Sequence, residues 1–276
     1  MNTTTHQPTI LGAIAGDVIG SVYEWNNHKS LDIDLLPEKA HFSDDSVLTV
    51  AVADCILHQL DYATTLQRYA RLWSDRGFGK YFREWMFAEH PMPYNSLGNG
   101  SAMRVSAAGF AAGSMEEALL LAKQSAEVTH NHPEGIKGAQ AVAGVIYLAR
   151  IGAAKPEIKQ WVADYTGYDL QFTLDEIREN YAFDATCPGS VPQAIVAFME
   201  CNDVEHAIRL AISIGGDSDT LACMAGGMAT AFYGEIPAEI IAFTEGLLPA
   251  DFLAIIREFD EKYGKKVKYS HREVVL

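Results

Sequence analysis

Residues 207–234 read AIRLAISIGGDSDTLACMAGGMATAFYG, and this stretch decides the fold. Two apolar runs of helical length are split by Gly215-Gly216 and by Asp217-Ser218-Asp219-Thr220. Paired glycines interrupt a helix, and Asp or Ser just ahead of an apolar run starts one. The cause is physical: unpaired N–H groups and the helix dipole favour oxygen and negative charge at that end. Capping therefore explains the acidic cluster when it is taken singly.

The same design recurs near the other end of the chain, where Ser43-Asp44-Asp45-Ser46 precedes the apolar residues 47–52, with Ser43 as the predicted N-cap. Adjacent carboxylates repel, and a chain seldom gathers four of them beside a core without a cation to neutralise them. Hard oxygen ligands suit Mg²⁺, Mn²⁺ or Ca²⁺ rather than zinc. Four carboxylates with two or three hydroxyls exceed what one Mg²⁺ takes while keeping its waters. They suit two ions bridged by a carboxylate and a solvent molecule. The repeat predicts that the clusters meet in space.

Outward from these stretches, helical periodicity dominates. Residues 10–24 carry Ile10, Ile14, Val18 and Val22 at four-residue steps, with Gly12, Gly16 and Gly20 as a second stripe suited to close approach of a neighbouring backbone. Asp17 and Glu24 are seven residues apart, so two turns bring them to one face of that helix. Helices are also predicted over 46–60, 63–75, 115–128, 135–151, 155–165, 191–201, 203–213, 219–233, 236–246 and 250–263. Loops fall at 76–79, 90–100, 130–135 and 186–192. Alternating strand patterns are nearly absent; only 267–276 reads as extended, and its basic character predicts a solvated end. The expectation is an all-α, compact multi-helix domain over residues 1–276, with its core at about 10–264, a tail at 265–276 and a central metal cleft.

Composition narrows the function. A chain of 276 residues with 49% apolar content builds a substantial core. Its formal charge of −15, from 21 basic and 36 acidic residues, argues against nucleic-acid binding, which needs a basic footprint. An anionic ligand then requires local compensation by metal ions or backbone N–H groups. Cys55, Cys187, Cys201 and Cys223 show no zinc spacing, and the first ten residues, MNTTTHQPTI, lack the pattern of a signal peptide. No apolar run is long enough to span a membrane. A cytoplasmic monomer without membrane partners is expected.

Glycine-rich loops supply a second kind of site. Ser96-Leu97-Gly98-Asn99-Gly100-Ser101-Ala102 leads into a helix, and its small residues suit backbone N–H contacts to phosphate. Arg76-Gly77-Phe78-Gly79 offers another close backbone approach, although neither loop carries a Walker or Rossmann fingerprint. His130 and His132 lack a third zinc partner, and His130 reads as a hydrogen-bonding group near the anion loop. Phe82, Trp73 and Trp85 read as core.

These segments resemble the ADP-ribosylglycohydrolases. The matching stretches are GAIAGDVIGSVYEW (12–25), FSDDSVLTVAVAD (42–54), RGFGKYF (76–82), SLGNGSAMRV (96–105), SAEVTHNHPEG (125–135) and residues 207–234, all in the family's order. The resemblance implies two Mg²⁺ ions, or Mn²⁺ in their place, held by Ser43, Asp44, Asp45, Asp217, Asp219 and Thr220. It implies that Glu24 lies on a mobile segment at the metals, and that Gly79, Ser96, Gly98, Asn99, Gly100 and His130 bind the substrate. Ser43 and Ser218 stand where threonine is common. Leu97 stands where an aromatic residue is frequent, which makes Tyr94 or Phe78 the replacement for its stacking.

The activity so implied is hydrolysis of the glycosidic bond at C1″ of the distal ribose in an ADP-ribosylated protein or small molecule, releasing ADP-ribose. Water activated by the metals attacks, and Glu24 or Asp44 acts as base or positions it. Two rivals remain: a non-catalytic ADP-ribose-binding or structural protein on the same fold, and a metal-dependent phosphohydrolase of nucleotide diphosphates.

Overall fold

The helix that follows Asp217 is buried from Ser218 through Ala231. A helix apolar on every side must be surrounded, and seven other helices pack against this one. The structure, a computed structural model, describes residues 4–268. In chain order it runs β1 (Thr4–His6), α1 (Leu11–Gly20), α2 (Asp44–His58), α3 (Tyr62–Leu72), α4 (Lys80–Phe87) and α5 (Gly100–Met103). There follow α6 (Ser106–Ala111), α7 (Met115–Glu127), α8 (Pro133–Arg150), α9 (Lys155–Thr166), α10 (Leu174–Ile177) and α11 (Cys187–Glu200). The chain closes with α12 (Val204–Ile212), α13 (Ser218–Tyr233), α14 (Ala238–Leu247), α15 (Ala250–Tyr263) and β2 (Lys266–Lys268). One hydrophobic core joins residues from Ile10 to Phe259, so the fold is an all-α single domain.

The pairing of α1 with α13 is the most extensive in the molecule. Its cause is the predicted glycine stripe. A Cβ on Gly16 would stand 2.1 Å from the carbonyl oxygen of Ala222, and one on Gly20 would stand 2.5 Å from Cα of Asp219. Only hydrogen at these positions lets the two backbones touch. That contact carries Asp17 of α1 to the start of α13, where Asp219 lies.

Several boundaries differ from the sequence-based expectation. Helix α1 stops at Gly20, short of Glu24. The Ser21 hydroxyl donates to Val18 O at 2.8 Å and accepts from His41 N at 3.1 Å, so side-chain bonds tie off the helix end. Residues 21–27 then form turns. Glu24 and Asp17 therefore do not share a helix face. Helix α11 starts at Cys187, inside the predicted loop, because Thr186 caps it through Gly189 N at 3.1 Å and Pro188 suits the first turn. Pro192 lies within this helix rather than ahead of it. The short helices α4, α6 and α10 carry too few turns to show a period. At the other extreme, Lys266–Lys268 is not a free tail but pairs antiparallel with Thr4–His6. The rest of the expected tail lies outside the described residues.

Candidate active site

The two acidic clusters meet. Carboxylate oxygens of Asp17, Asp45 and Asp219 lie within 4.8 Å of one another, and so do those of Glu24, Asp217 and Asp219. Asp219 belongs to both groups. Each cluster sits at the start of a buried helix, α2 or α13, and the glycine contact between α1 and α13 brings the parts together. The turn ahead of α13 takes left-handed backbone at Gly215 and Gly216, φ +67° and +74°, which a side chain would strain. Asn27 Oδ1 accepts from Gly216 N at 3.3 Å, and Lys29 Nζ donates to Tyr181 O at 2.6 Å and to Ile214 O. These bonds anchor the segment that carries Glu24 against the turn that carries Asp217.

Ser43 is the N-cap of α2, as predicted, and accepts from Asp45 N at 3.1 Å. Its hydroxyl donates to Asp17 Oδ1 at 2.6 Å, which leaves one lone pair free for a cation. Thr220 Oγ1 reaches Asp45 Oδ2 at 3.3 Å. Asp17 itself went unassigned in the sequence reading. It accepts from Ser43 N and Ser46 N, at 3.0 and 3.1 Å, and from the hydroxyls of Ser43 and Ser46. Three of these bonds fall on Oδ2 and one on Oδ1, so Asp17 positions the start of α2 while Oδ1 keeps a lone pair towards Asp45 and Asp219. The signal for it was a lone acid inside a glycine-striped apolar helix. Asp44 lines the cleft, with its N–H donating to Arg76 O at 2.7 Å, but stands outside both convergent groups.

Electrostatics point the same way. Burial pushes the carboxyls of Asp17, Asp44, Asp45, Asp217 and Asp219 upward, and for Asp44, Asp45 and Asp219 neighbouring carboxylates push them well above the usual range. Hydrogen bonds from Ser43 and Ser46 partly offset this at Asp17, as the bond from Asn99 does at Asp217. Half-buried Glu24 rises to about 7, first through burial and then through Asp217 and Asp17. Asp45 Oδ1 is buried without a hydrogen-bond partner. A divalent cation would satisfy that oxygen and relieve the repulsion.

A cleft of about 590 Å³ opens beside the carboxylates, and the glycine loop forms another wall. Gly79, Ser96, Gly98, Asn99, Gly100 and His130 all line it. Fewer loop N–H groups are free than their small neighbours imply: Gly98 N donates to Ser96 Oγ at 3.0 Å, and Asn99 N to Ala185 O at 2.8 Å. Helix α5 that follows has only four residues, so its dipole is weak. Asn99 Nδ2 donates to Asp217 Oδ2 at 2.7 Å and ties the loop to the carboxylates. Gly79 has open space where a Cβ would stand. Tyr94 lines the cleft, its ring 5.8 Å from that of His130, whereas Phe78 is buried against Phe82; Tyr94 is thus the available replacement for an aromatic at Leu97. At the rim, Trp25 stacks on Phe183 at 5.5 Å although it is 79% exposed. Neither partner was singled out from sequence.

Fold and site together define an all-α enzyme with a carboxylate-lined cleft beside a glycine-rich loop. A family model described as ADP-ribosylglycohydrolase matches residues 7–266, and the chain belongs to that family of glycosidic-bond hydrolases. Human ADP-ribosylhydrolase ARH3 is 27% identical, across 89% of this chain and 90% of that protein. The ADP-ribosylarginine hydrolase Tri1 of Pseudomonas putida (strain GB-1) is 26% identical across 82% of this chain and 69% of its own length. A solved structure described as an ADP-ribosylglycohydrolase-related protein complex shares the fold, with a TM-score of 0.65 and 22% identity over 92% of this chain and 97% of its own.

Proposed function

We propose that the protein hydrolyses, with Mg²⁺, the glycosidic bond joining C1″ of ADP-ribose to an acceptor, which is a protein side chain or a small molecule. The observation that carries this reading is the convergence of carboxylates from three distant stretches at one part of a cleft whose other wall is the glycine loop. The relatives' names and the family match support it.

Ser43, Asp44, Asp45, Asp217, Asp219 and Thr220 would hold two Mg²⁺ ions, with Mn²⁺ as substitute. Bound there, the cations offset the carboxylate charge and make water a better nucleophile at neutral pH. The chain's own groups do the rest. Glu24 or Asp44 takes a proton from water or positions it. Asn99 holds Asp217 in place. The glycine loop and His130 receive the diphosphate, and Tyr94 offers an aromatic face beside them. The negative carboxylates favour oxocarbenium character at C1″ as the bond to the acceptor breaks. Water's oxygen then bonds to C1″, and the acceptor leaves with a proton.

The test is incubation with arginine-, serine- and acetyl-linked ADP-ribose, with and without Mg²⁺, and identification of products by mass. Mg²⁺-dependent release of intact ADP-ribose is expected. AMP and ribose phosphate would instead identify a phosphohydrolase, and binding of every substrate without turnover would refute catalysis.

A further inference from the structure

Arg104 is the largest fully buried side chain, and no ion pair among the described residues includes it. Its guanidinium donates to Ser125 O and Ser125 Oγ, and Nη2 donates to Thr129 Oγ1 at 2.9 Å. Nη1 has no hydrogen-bond partner, although the residue lines the cleft. A buried cation without a counter-ion is costly, so its place beneath the glycine loop calls for a reason.

Thr129 gives that reason a direction. Its hydroxyl has one proton, and one of its lone pairs already accepts from Arg104, which can only donate. The proton has two acceptors in reach: His130 Nδ1 at 2.7 Å and Ala126 O at 3.4 Å. Ala126 O already accepts from His130 N at 2.8 Å and from Thr129 N at 3.1 Å, which takes both its lone pairs; the Thr129 proton therefore goes to Nδ1, and the ring proton is left on Nε2. The Arg104 charge favours the same outcome, because it draws the Nδ1 lone pair towards itself. Burial and that charge also hold His130 neutral, well below its ordinary pKa. Nε2 faces the loop: it lies 3.4 and 3.1 Å from where a Cβ would stand on Gly98 and Gly100.

We infer that Arg104 and Thr129 are positioning residues that lock His130 as the Nε2–H tautomer, so that this N–H donates to the diphosphate of the ligand. The inference rests on the proposed function only in taking the guest to be a diphosphate. Buried Arg104 adds positive potential beneath the same oxygens, in a protein whose overall charge would repel them.

Two-bond ¹H–¹⁵N correlation of the histidine rings in the full chain, in Mg²⁺ buffer, reads the tautomer directly, with His130 assigned by difference against H130Q. The wild type is expected to carry its proton on Nε2. Thr129→Val is expected to admit the other tautomer and to weaken ADP-ribose binding about tenfold by calorimetry, the scale of one charge-assisted hydrogen bond. Thr129→Ser is expected to restore both readings. A proton on Nδ1 in the wild type overturns the inference without any variant. An unchanged tautomer and affinity in folded Thr129→Val overturns it equally. If ADP-ribose binds as expected while no linkage is hydrolysed, the relay stands and the proposed reaction falls.

Discussion

Stripping divalent cations should destabilise this protein more at pH 8 than at pH 5, and restoring Mg²⁺ should reverse the loss. Asp17, Glu24, Asp44, Asp45, Asp217 and Asp219 all have carboxyls raised by burial. A group whose folded pKa exceeds its unfolded value binds its proton more tightly in the native state. Its contribution is therefore complete below the unfolded pKa and lost as pH rises through the folded one. For Glu24 that window runs from 4.5 to about 7. A rise of that size corresponds to about 3 kcal/mol, and solvent reaching a half-buried group cuts it to roughly 1.5 kcal/mol. The Asp carboxyls add in the same sense from 3.8 upward. A cation binds the ionised form and removes this penalty. At one hundred times its Kd it adds about 2.7 kcal/mol, which for a domain of this size is roughly 5–10 °C in Tm. At pH 5 protons compete for the same oxygens, so the shift should fall to less than half. Scanning calorimetry with EDTA or Mg²⁺ at both pH values measures it. A Mg²⁺ shift absent at pH 8, or larger at pH 5 than at pH 8, would refute the reasoning.

Three substitutions test the parts. Gly16→Ala places a Cβ 2.1 Å from Ala222 O and must force α1 from α13; urea melts should show a loss of about 3 kcal/mol, and calorimetry should show weaker Mg²⁺ binding. Asp17→Asn keeps the shape but leaves an amide nitrogen facing hydroxyl and backbone donors of Ser43 or Ser46; a loss of about 2–4 kcal/mol is expected, with Mg²⁺ affinity reduced in the same titration. Trp25→Ala removes the stack on Phe183 beside Glu24. It should cost under about 1 kcal/mol in stability yet lower kcat several-fold by loosening the segment that places Glu24, which a melt and a steady-state assay separate.

What the sequence disclosed and what it hid follow from range. The helices around α2, α7, α8 and α13 carry long apolar patterns beside capping residues, so their cause is local and readable. The glycine stripe of α1 was also local, and it announced close packing without naming the partner. Asp17 was hidden because its role is made by Ser43 and Ser46, which reach it only after the fold closes. The end of α1 was hidden for a similar reason: Ser21 binds His41 N, twenty residues onward. Thr129 and Arg104 look like ordinary core-flanking residues in sequence, since their meaning lies in a hydrogen-bond chain to His130. Trp25 and Phe183 come together only because the segment after α1 docks beside the turn before α13.

The acidic composition and an anionic guest are reconciled by distance. Charges beyond about 8 Å are largely screened at physiological salt, so the surface acids that set the net −15 matter less to a ligand in the cleft than the groups lining it. Those groups carry both signs: Glu24, Asp44, Asp45, Asp75, Asp217 and Asp219 line the cleft together with Arg76, Lys80, Arg104 and neutral His130. The carboxylates would repel a diphosphate unless cations offset their charge, whereas Arg76, Lys80 and Arg104 attract it. Asn99 joins the carboxylates to the glycine loop through its bond to Asp217. On the proposed reading, cations that offset these carboxylates would also favour the anion, so the two binding events would be thermodynamically linked.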